Sequence, residues 1–475
     1  MSLGLWLEKW NLFGPERVAL VDAASGQRWT YADLHARAQR RAAWLRDDHG
    51  VRPGDRVAWC LGNEPEFFEL LFACARLGAI LVPVNWRLAP PEITYILGHC
   101  RPRLTIESAS QLVVTDERGD FADVHAYDAE DATPLMILYT SGTTGRPKGA
   151  VLTHGSMTAN SVNTTVACDL TGDDSTLTFT PLFHTGAVNV LSVPLFHRGG
   201  KVVLMPRFDA TAILRAIAEE QISILFGVPT TFEMLRDDSG FARADLSSVR
   251  FALCGGAPCP IQLIHDYARR GVVFRQGYGL TEVGPNCFSL PPEDAVRKAG
   301  TVGFPVRHCR ARIVATSGAE AAQGEVGELW LKGPHVCGGY WDDRTATALA
   351  KKGGWWATGD LFSVDADGYY QVVGRKKNMF ISGGENVYPA EVEAAILEYE
   401  GVREAVVIGV PDAVWGEVGR AYVAPASVQP DGLIEFLRVR IGRFKVPRTV
   451  VPVDALPRNA MGKVVRDALS SVVGV

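Results

Sequence analysis

Short apolar segments alternate with amphipathic segments of helical period along most of the chain. Residues 56–61 and 80–84 are short apolar runs typical of buried strands, and residues 64–77 between them repeat their apolar positions at helical spacing. Ahead of them, Thr30 and Asp33 have the spacing of a capping box for a helix that extends to about residue 46. Strands that alternate with such helices predict parallel sheets covered by helices.

The same alternation continues through the middle of the chain and predicts an α/β fold. Sheets of this type bind ligands beyond the carboxyl ends of their strands, so we expect the chemistry in the loops that follow the strands. The predicted strands are residues 201–205, 222–226, 249–254 and 272–275, and the predicted helices are residues 209–221 and 260–270.

The pattern changes near residue 311, where the strands read as antiparallel, and again after Gly374, where a compact α+β segment begins. A glycine and a charged run at residues 374–377 separate the two textures. We predict a large N-terminal domain over residues 1–374, made of packed α/β subdomains and a small β region, and a small α+β domain over residues 375–475. The antiparallel strands are predicted at residues 310–315, 327–332, 362–364 and 369–373, and the α+β segment at helices 389–400 and 431–441 and strands 404–408 and 419–424.

Composition and charge exclude several classes of protein. The 475 residues are 47% hydrophobic and 21% charged, which is ordinary globular usage and not that of a disordered or coiled-coil chain. A net charge of -5 without a basic domain argues against nucleic-acid binding. The nine cysteines are scattered without a C-x-x-C pair or a neighbouring histidine cluster, which favours reduced thiols over a disulfide framework or a zinc site.

The chain also carries no signal that places it in a membrane or outside the cell. Glu8 and Lys9 interrupt the apolar positions at the N-terminus, and no apolar run approaches the roughly 18 residues that a membrane-spanning helix needs. We therefore expect a cytoplasmic protein with no integral membrane segment.

Residues 138–149 (LYTSGTTGRPKG) carry the strongest chemical signal. They follow a predicted strand at residues 135–139 and combine hydroxyl side chains, glycines and Lys148, a set that can surround a phosphate with N–H, O–H and ammonium donors. The segment is not a Walker loop, because Gly149 follows Lys148 and the glycine spacing differs. A plain Ser/Thr/Gly linker is the alternative, although linkers seldom interrupt a buried strand so sharply.

Residues 139–149 resemble the signature loop of the AMP-forming acyl-adenylate superfamily, which includes acyl-CoA synthetases, firefly luciferase and peptide-synthetase adenylation domains. The resemblance covers nearly the whole chain, because four further blocks follow in the family's order. These blocks are residues 255–258 (GGAP), 277–282 (GYGLTE), 356–360 (WATGD) with 374–375 (GR), and 457–463 (PRNAMGK).

The resemblance implies ATP, Mg²⁺ and coenzyme A as ligands and assigns most of the candidate site. Tyr278 would stack on adenine, Thr281 would contact the α-phosphate, Glu282 would hold Mg²⁺, and Asp360 with Arg375 would bind the ribose. The remaining implied contacts are Thr140, Ser141, Gly142, Thr143, Thr144 and Lys148 to phosphates, Gly255, Gly256, Ala257, Pro258 and Gly279 to the nucleotide, and Gly383 and Gly384 to the pantetheine arm of CoA.

Lys463 and the junction near residues 375–377 imply a two-step mechanism. In the superfamily the lysine that matches Lys463 enters the site for adenylation, and a rotation of the small domain about the hinge then withdraws it for thioester formation. The resemblance thus implies that the small domain of this chain is mobile. For Gly383 and Gly384, a simple tight turn is the alternative to a CoA contact.

The identity of the acid is left open by the sequence. His184 matches a position beside the substrate carboxylate in many relatives, where it could bind, gate or only pack. The stretches expected to line the acid site, residues 184–189, 255–258, 276–279 and 283–286, are mostly small or apolar and contain no arginine or lysine for a second carboxylate. We expect an acid:CoA ligase acting on a medium- or long-chain fatty acid.

Three alternatives to that expectation remain. The acid could be an aryl or cinnamic-type compound, the acceptor could be a carrier protein, or the chain could be an inactive nucleotide-binding regulator. A homodimer is also left open.

Overall fold

We analysed a computed structural model of the protein, which describes residues 2–112, 124–140, 146–383, 385–458 and 464–470. The contacts divide the chain into two compact units. The first comprises Met1–Ala311 and Trp330–Ala357, and the second comprises Arg312–Leu329 and Thr358–Val475. The domain boundary expected after residue 374 stays a prediction.

The elements confirm a mixed α/β architecture. The helices, numbered along the chain, are α1 (Trp6–Phe13), α2 (Tyr31–Asp47), α3 (Glu66–Leu77), α4 (Pro90–Cys100), α5 (His154–Cys168), α6 (Val193–Arg198), α7 (Ala210–Glu219), α8 (Pro229–Asp237), α9 (Ile261–Arg269), α10 (Arg344–Ala350), α11 (Pro389–Leu397), α12 (Pro430–Arg438) and α13 (Arg466–Ser470). The strands are β1 (Val18–Asp22), β2 (Arg28–Thr30), β3 (Arg56–Trp59), β4 (Ile80–Pro83), β5 (Leu104–Ile106), β6 (Pro134–Thr140), β7 (Lys148–Thr153), β8 (Ser175–Thr178), β9 (Lys201–Leu204), β10 (Ile224–Gly227), β11 (Phe251–Cys254), β12 (Val273–Gln276), β13 (Tyr278–Leu280), β14 (Gly284–Ser289), β15 (Phe304–Pro305), β16 (Arg310–Val314), β17 (Gly327–Lys332), β18 (Lys351–Lys352), β19 (Trp355–Val364), β20 (Tyr370–Arg375), β21 (Phe380–Ser382), β22 (Glu385–Val387), β23 (Glu404–Asp412), β24 (Gly416–Ala424) and β25 (Thr449–Pro452).

Two largely parallel sheets form the framework of the first unit. One has seven strands in the order β12-β11-β10-β8-β9-β1-β2, in which only the β1–β2 pair is antiparallel. The other has five strands in the order β5-β3-β4-β6-β7, in which only β6 and β7 run antiparallel. A three-stranded antiparallel sheet, β13-β14-β15, follows the end of β12.

Helices cover the seven-stranded sheet because their apolar faces match its apolar strands. Ile213, Ile217 and Leu263 from α7 and α9 pack with Leu225 and Phe274 of the strands in one buried cluster. Burying apolar surface in this way contributes roughly 25 cal/mol per Å², the main term that favours folding. The framework therefore holds the carboxyl ends of β8, β10, β11 and β12 along one edge.

Two further sheets contain the antiparallel part of the chain. One has the order β16-β17-β19-β18 with β20 paired to β19, and the other has the order β22-β21-β24-β23 with β25 paired to β24. Phe380, Val407, Ala421, Leu433 and Leu437 form the core of the second of these sheets with its helices α11 and α12. Within the described part of the chain, no helix has the length and apolar character needed to cross a membrane.

Local signals account for the element boundaries. The Thr30 hydroxyl accepts a hydrogen bond from Asp33 N–H while the Asp33 carboxylate accepts one from Thr30 N–H, so α2 begins where the capping box predicts. Helix α3 ends at Gly78 with φ +70°, the left-handed conformation in which a glycine terminates a helix without strain.

The region around β19 differs from the sequence expectation. The strand was expected only from residue 362, but it begins at Trp355 and contains Asp360. In the sequence, Gly359 and Asp360 interrupt the apolar pattern expected of a strand. In the structure, Gly359 has φ +72° and accommodates an irregular backbone while the strand continues on both sides of it.

Candidate active site

Four loops meet the expectation that ligands bind beyond the carboxyl ends of parallel strands. They follow β8, β10, β11 and β12. At the ends of the last three strands, Gly227 is the register partner of Cys254, and Cys254 is that of Gln276. The N–H of Gly255 donates to the Gly227 carbonyl at 3.1 Å, and the N–H of Gly277 donates to the Cys254 carbonyl at 2.8 Å. The structure therefore brings the predicted nucleotide loops at residues 255–258 and 277–282 to one sheet edge.

The loop after β11 has one position, residue 256, whose backbone conformation favours glycine. Gly256 has φ +82°, a conformation that favours glycine, and a side chain at Gly255 would lie 3.6 Å from the Phe226 ring. Gly255 is buried whereas Gly256, Ala257 and Pro258 are exposed. The exposed backbone of this loop is accessible to a ligand.

The second nucleotide loop forms the β13–β14 hairpin. A Cβ at Gly279 would lie 2.3 Å from the Pro285 carbonyl carbon, so only glycine fits this close backbone approach. The Tyr278 ring lies edge-on to Phe288 at a centroid distance of 5.8 Å and is only partly buried. Thr281 begins a short 3₁₀ turn, Thr281–Val283, that carries Glu282.

Hydroxyl groups surround the Glu282 carboxylate. The Tyr340 hydroxyl donates to Glu282 Oε1 at 3.0 Å, and the Thr140 hydroxyl donates to the same oxygen at 3.3 Å. The Glu282 carbonyl accepts from Cys337 N–H at 2.8 Å. Burial raises the pKa of the Tyr340 phenol, and the Glu282 charge raises it further, so the phenol remains a donor.

Lys148 joins this cluster through the β6–β7 hairpin. Lys148 lies opposite Thr140 in the antiparallel register, and its ammonium lies 5.4 Å from the centroid of the Tyr340 ring, which is within cation–π range. Tyr340 reaches this position because residues 338–341 pair with β7, with a bridge between Tyr340 and Ala150. Thr140, Lys148 and Glu282, predicted from separate motifs, thus form one cluster.

Sequence reasoning missed Tyr340. The one signal available was its position after Gly338-Gly339, an aromatic residue following glycine as Tyr278 follows Gly277. Ser141, Gly142, Thr143 and Thr144 lie outside the described residues, as do Gly384 and Lys463.

The predicted ribose-binding pair meets in the second unit. Asp360 on β19 and Arg375 on β20 are register partners, and their side chains form an ion pair with an N–O distance of 2.5 Å. The Asp360 carboxylate is 5% exposed while the Arg375 guanidinium is 47% exposed, so the arginine remains accessible to a ligand. Asp360 N–H donates to the Thr358 hydroxyl at 3.1 Å, which fixes the strand at this point.

His184 lies in the loop after β8, between Thr180 and Gly186, both of which line a small cavity. The histidine packs edge-on against Phe183 at a centroid distance of 4.6 Å. The cavity lies at the start of the π-helical turn Gly186–Ser192, and a Cβ at Gly186 would come within 3.0 Å of the Phe226 ring. Its walls are formed by Thr176, Leu177, Thr178, Thr180, Gly186, Ala187, Leu191 and Phe226.

Gly383 lies in the turn between β21 and β22. It has φ +60°, and a Cβ there would lie 2.4 Å from the Trp415 ring, so a larger residue would displace the tryptophan. Its N–H donates to the Trp415 carbonyl at 2.9 Å. The turn alone accounts for this glycine, and its contact with CoA stays a prediction.

Two family models match the chain, one after the other. The AMP-binding enzyme family model matches residues 7–341, and the AMP-binding enzyme C-terminal domain matches residues 391–463. A feruloyl-CoA synthase from Amycolatopsis sp is 41% identical over 98% of both chains, and an indoleacetate–CoA ligase from Aromatoleum aromaticum is 40% identical over all of this chain and 98% of its own. The structure of o-succinylbenzoate CoA synthetase from Bacillus subtilis with its acyl-adenylate intermediate superposes with a TM-score of 0.89 at 32% identity, covering 98% of each chain.

Proposed function

Because this chain belongs to the AMP-binding enzyme family and is an AMP-forming acid–thiol ligase, we propose that its substrate is an aryl acid of the hydroxycinnamate type and its acceptor is CoA. The observation that carries the proposal is the 41% identity to feruloyl-CoA synthases over 98% of both chains. A long-chain-fatty-acid–CoA ligase from Mycobacterium tuberculosis is 35% identical over a similar span. The similarity thus favours the aryl alternative over the fatty acid expected from the sequence.

An aromatic side chain near the end of β10 supports an aromatic substrate. The Phe226 ring lines the small cavity that Thr180 and Gly186 also line, and an aromatic acid bound beside it would pack on that ring with the offset or edge geometry that aromatic pairs prefer. None of the residues lining the cavity is charged, in agreement with an acid that carries a single carboxylate. His184, at the entry of the same segment, would position or pack against that carboxylate.

The reaction has two steps. A carboxylate oxygen of the acid attacks the α-phosphorus of ATP, the bond to the β-phosphate breaks, and acyl-AMP and pyrophosphate form. The CoA thiol then loses its proton and attacks the acyl carbonyl carbon, the bond to the AMP oxygen breaks, and the thioester and AMP are released.

The Glu282 cluster fits the Mg²⁺ that the family implies. Hard divalent cations choose carboxylate and hydroxyl oxygens, which Glu282 and Thr140 supply side by side. The metal would screen the phosphate charge as pyrophosphate leaves. In this chain Glu282 would hold the ion, Lys148 would contact the phosphates, and Thr281 would donate to the α-phosphate.

The remaining proposed contacts would bind the nucleoside. Tyr278 offers a partly exposed ring face to adenine, and the loop Gly255–Pro258 offers exposed backbone groups beside it. Asp360 would accept hydrogen bonds from the ribose hydroxyls, which contribute about 1.5–3 kcal/mol each when the acceptor is charged. Arg375, already paired with Asp360, would contact the same sugar.

The C-terminal part would change its position between the two steps. We place a mobile domain at residues 375–475 with its hinge near residues 375–377. Lys463 would enter for adenylation and leave for thioester formation, when Gly383 and Gly384 would face the pantetheine arm.

The proposal is tested by acid-dependent exchange of pyrophosphate into ATP across a panel of acids. We expect hydroxycinnamates such as ferulate to support the fastest exchange, with indole-3-acetate slower and C8–C16 fatty acids slowest. A fatty acid exceeding ferulate in kcat/KM would overturn the substrate class. Following thioester formation with CoA and, in parallel, with a phosphopantetheinylated carrier protein identifies the acceptor.

A further inference from the structure

Two cysteines and a histidine from distant parts of the first unit meet at one buried point. Cys287 belongs to β14, Cys309 directly precedes β16, and His335 follows β17. Their two Sγ atoms and one ring nitrogen all lie within 4.8 Å of one another. The residues are 0%, 7% and 2% exposed respectively, so the cluster is closed to solvent.

The histidine of this cluster lacks the partners that a buried imidazole needs. Within the described ranges, neither Nδ1 nor Nε2 of His335 has a hydrogen bond of normal geometry, and its polar neighbour is the Cys309 thiol of the same cluster. A buried polar group without a partner costs free energy and calls for an explanation such as an ion at the site. Gly333 permits the arrangement, because a Cβ there would lie 2.6 Å from His335 Nδ1.

We infer that Cys287, Cys309 and His335 bind a thiophilic d¹⁰ metal ion, Zn²⁺ or Cu⁺. Two thiolates and an imidazole are the ligands that these ions prefer, whereas Mg²⁺ prefers oxygen. Ligands placed about 2.0–2.3 Å from a tetrahedral ion lie about 3.3–3.8 Å apart. The upper bound of 4.8 Å in the structure is therefore compatible with a small contraction around the ion.

The ion would fix the turn that carries Glu282. The Cys287 thiol donates towards the Val283 and Gly284 carbonyls at 2.9 and 3.1 Å, directly after Glu282 in the chain. On binding the ion this thiol would release its proton to solvent, and the resulting thiolate would hold the turn through the short stretch of chain between Gly284 and Cys287. On the other side, Cys337, two residues after His335, donates its N–H to the Glu282 carbonyl at 2.8 Å. The cluster thus joins both segments that position this carboxylate, and its ligands act as positioning residues.

Metal content of the full-length protein tests the inference. The protein would be produced without an affinity tag that binds metal, incubated with Zn²⁺ or, under reducing anaerobic conditions, with Cu⁺, desalted, and analysed by mass spectrometry of the metal. We expect one tightly held ion per chain, and replacement by Co²⁺ should give the thiolate-to-cobalt absorption band. The relative retention of Zn²⁺ and Cu⁺ identifies the ion.

Matched variants separate this cluster from ordinary thiol binding. Cys309→Ser and His335→Gln should each lose the ion and the cobalt band. Cys259→Ser is the control, because Cys259 is also 7% exposed and lies against another buried cysteine, Cys254, yet the described residues give that pair no histidine ligand. Zn²⁺ should raise the Tm of the wild type and of Cys259→Ser, but not of the other two variants.

Two results would overturn the inference. One is a wild-type protein that retains no ion and shows no cobalt band, a result that does not depend on the folding of any variant. The other is a disulfide between Cys287 and Cys309, detected by peptide mapping of the denatured, unreduced protein, because it would remove both proposed thiolate ligands. Neither result bears on the acid substrate, so this inference and the proposed function fail independently.

Discussion

At the scale of single residues, the environment of the Glu282 carboxylate carries the chemical argument. Two hydroxyl donors, from Tyr340 and Thr140, share one carboxylate oxygen. Burial and the Glu282 charge raise the pKa of the Cys337 thiol to about 12, so this neighbour adds no negative charge near neutral pH. The other carboxylate oxygen has no hydrogen bond to any residue in the described ranges, which leaves it available to a cation.

Replacement of the Glu282 charge should disable adenylation. Glu282→Gln keeps the size of the side chain but removes the charge that would hold Mg²⁺, so we expect pyrophosphate exchange to fall at least about a hundredfold, as for the loss of a preorganised electrostatic group. The midpoint of the Mg²⁺ titration of this exchange should rise as well.

Tyr340→Phe is the matched control for that change. It removes one hydrogen bond to Glu282 and keeps the charge, so exchange should fall only about fivefold to tenfold, in line with a hydrogen bond to a charged group. If Glu282→Gln were no worse than Tyr340→Phe, Glu282 would not be the metal ligand.

At the scale of elements, the carboxyl edge of the seven-stranded sheet organises the acid and nucleotide loops. Phe226 at the end of β10 lies between Gly186 on one side and Gly255 on the other, 3.0 and 3.6 Å from where their side chains would begin. An added methyl group would therefore press on this ring at Gly186, whereas at Gly255 it would make an ordinary contact.

A methyl group added at Gly186 should weaken the binding of the acid and leave the binding of ATP unchanged. Gly186→Ala would press on the Phe226 ring, and overpacking of this kind costs about 1–3 kcal/mol, so we expect KM for ferulate to rise about tenfold or more. KM for ATP should stay unchanged. Gly98→Ala is the control, since a Cβ at that position meets no atom within 4 Å. A rise in KM for ATP alone would place this cavity on the nucleotide side.

The sequence predicted seven strands of the two largely parallel sheets to within two residues, because they are short apolar runs typical of buried strands: β3, β4, β6, β9, β10, β11 and β12. It did not predict β1, β2, β5, β7 or β8. Strands β11 and β12 begin at Phe251 and Val273, against predicted starts at 249 and 272. The start of β7 at Lys148 was not predicted, because its first residues belong to the glycine-rich motif and lack a strand pattern.

The sequence predicted which residues lie together where they belong to recognised motifs. It could not do so where only the fold brings distant residues together. The Asp360–Arg375 pair and the meeting of Thr140, Lys148 and Glu282 follow from recognised motifs. The approach of Cys287, Cys309 and His335 does not, since these residues are far apart in sequence and their spacing matches no ligand pattern. The sequence favoured scattered, reduced thiols, whereas in the structure these two cysteines lie together beside a histidine.

At the scale of the whole molecule, the proposed mechanism has two half-reactions that use different residues. The division into units at residues 312–329 and 358–475 differs from the family-model matches, which end at 341 and resume at 391. The hinge that we propose near residues 375–377 lies between the two matches.

Lys463→Ala should separate the two half-reactions. Without its cation on the acid and α-phosphate oxygens, adenylation should fall at least about a hundredfold. Thioester formation from supplied feruloyl-AMP and CoA should be spared, because in the proposed mechanism the lysine would leave the site for that step. Single-turnover assays of each half-reaction measure this directly. An equal loss in both would contradict the proposed role of Lys463.

The most direct test of the central claim follows the carboxylate oxygens of the acid. Ferulate labelled with ¹⁸O in its carboxylate would be converted with ATP and CoA, and the AMP and pyrophosphate analysed by mass spectrometry. Attack of the acid on the α-phosphorus predicts one labelled oxygen in AMP and none in pyrophosphate. Label in inorganic phosphate with ADP as the product, or thioester formed without label in AMP, would contradict it.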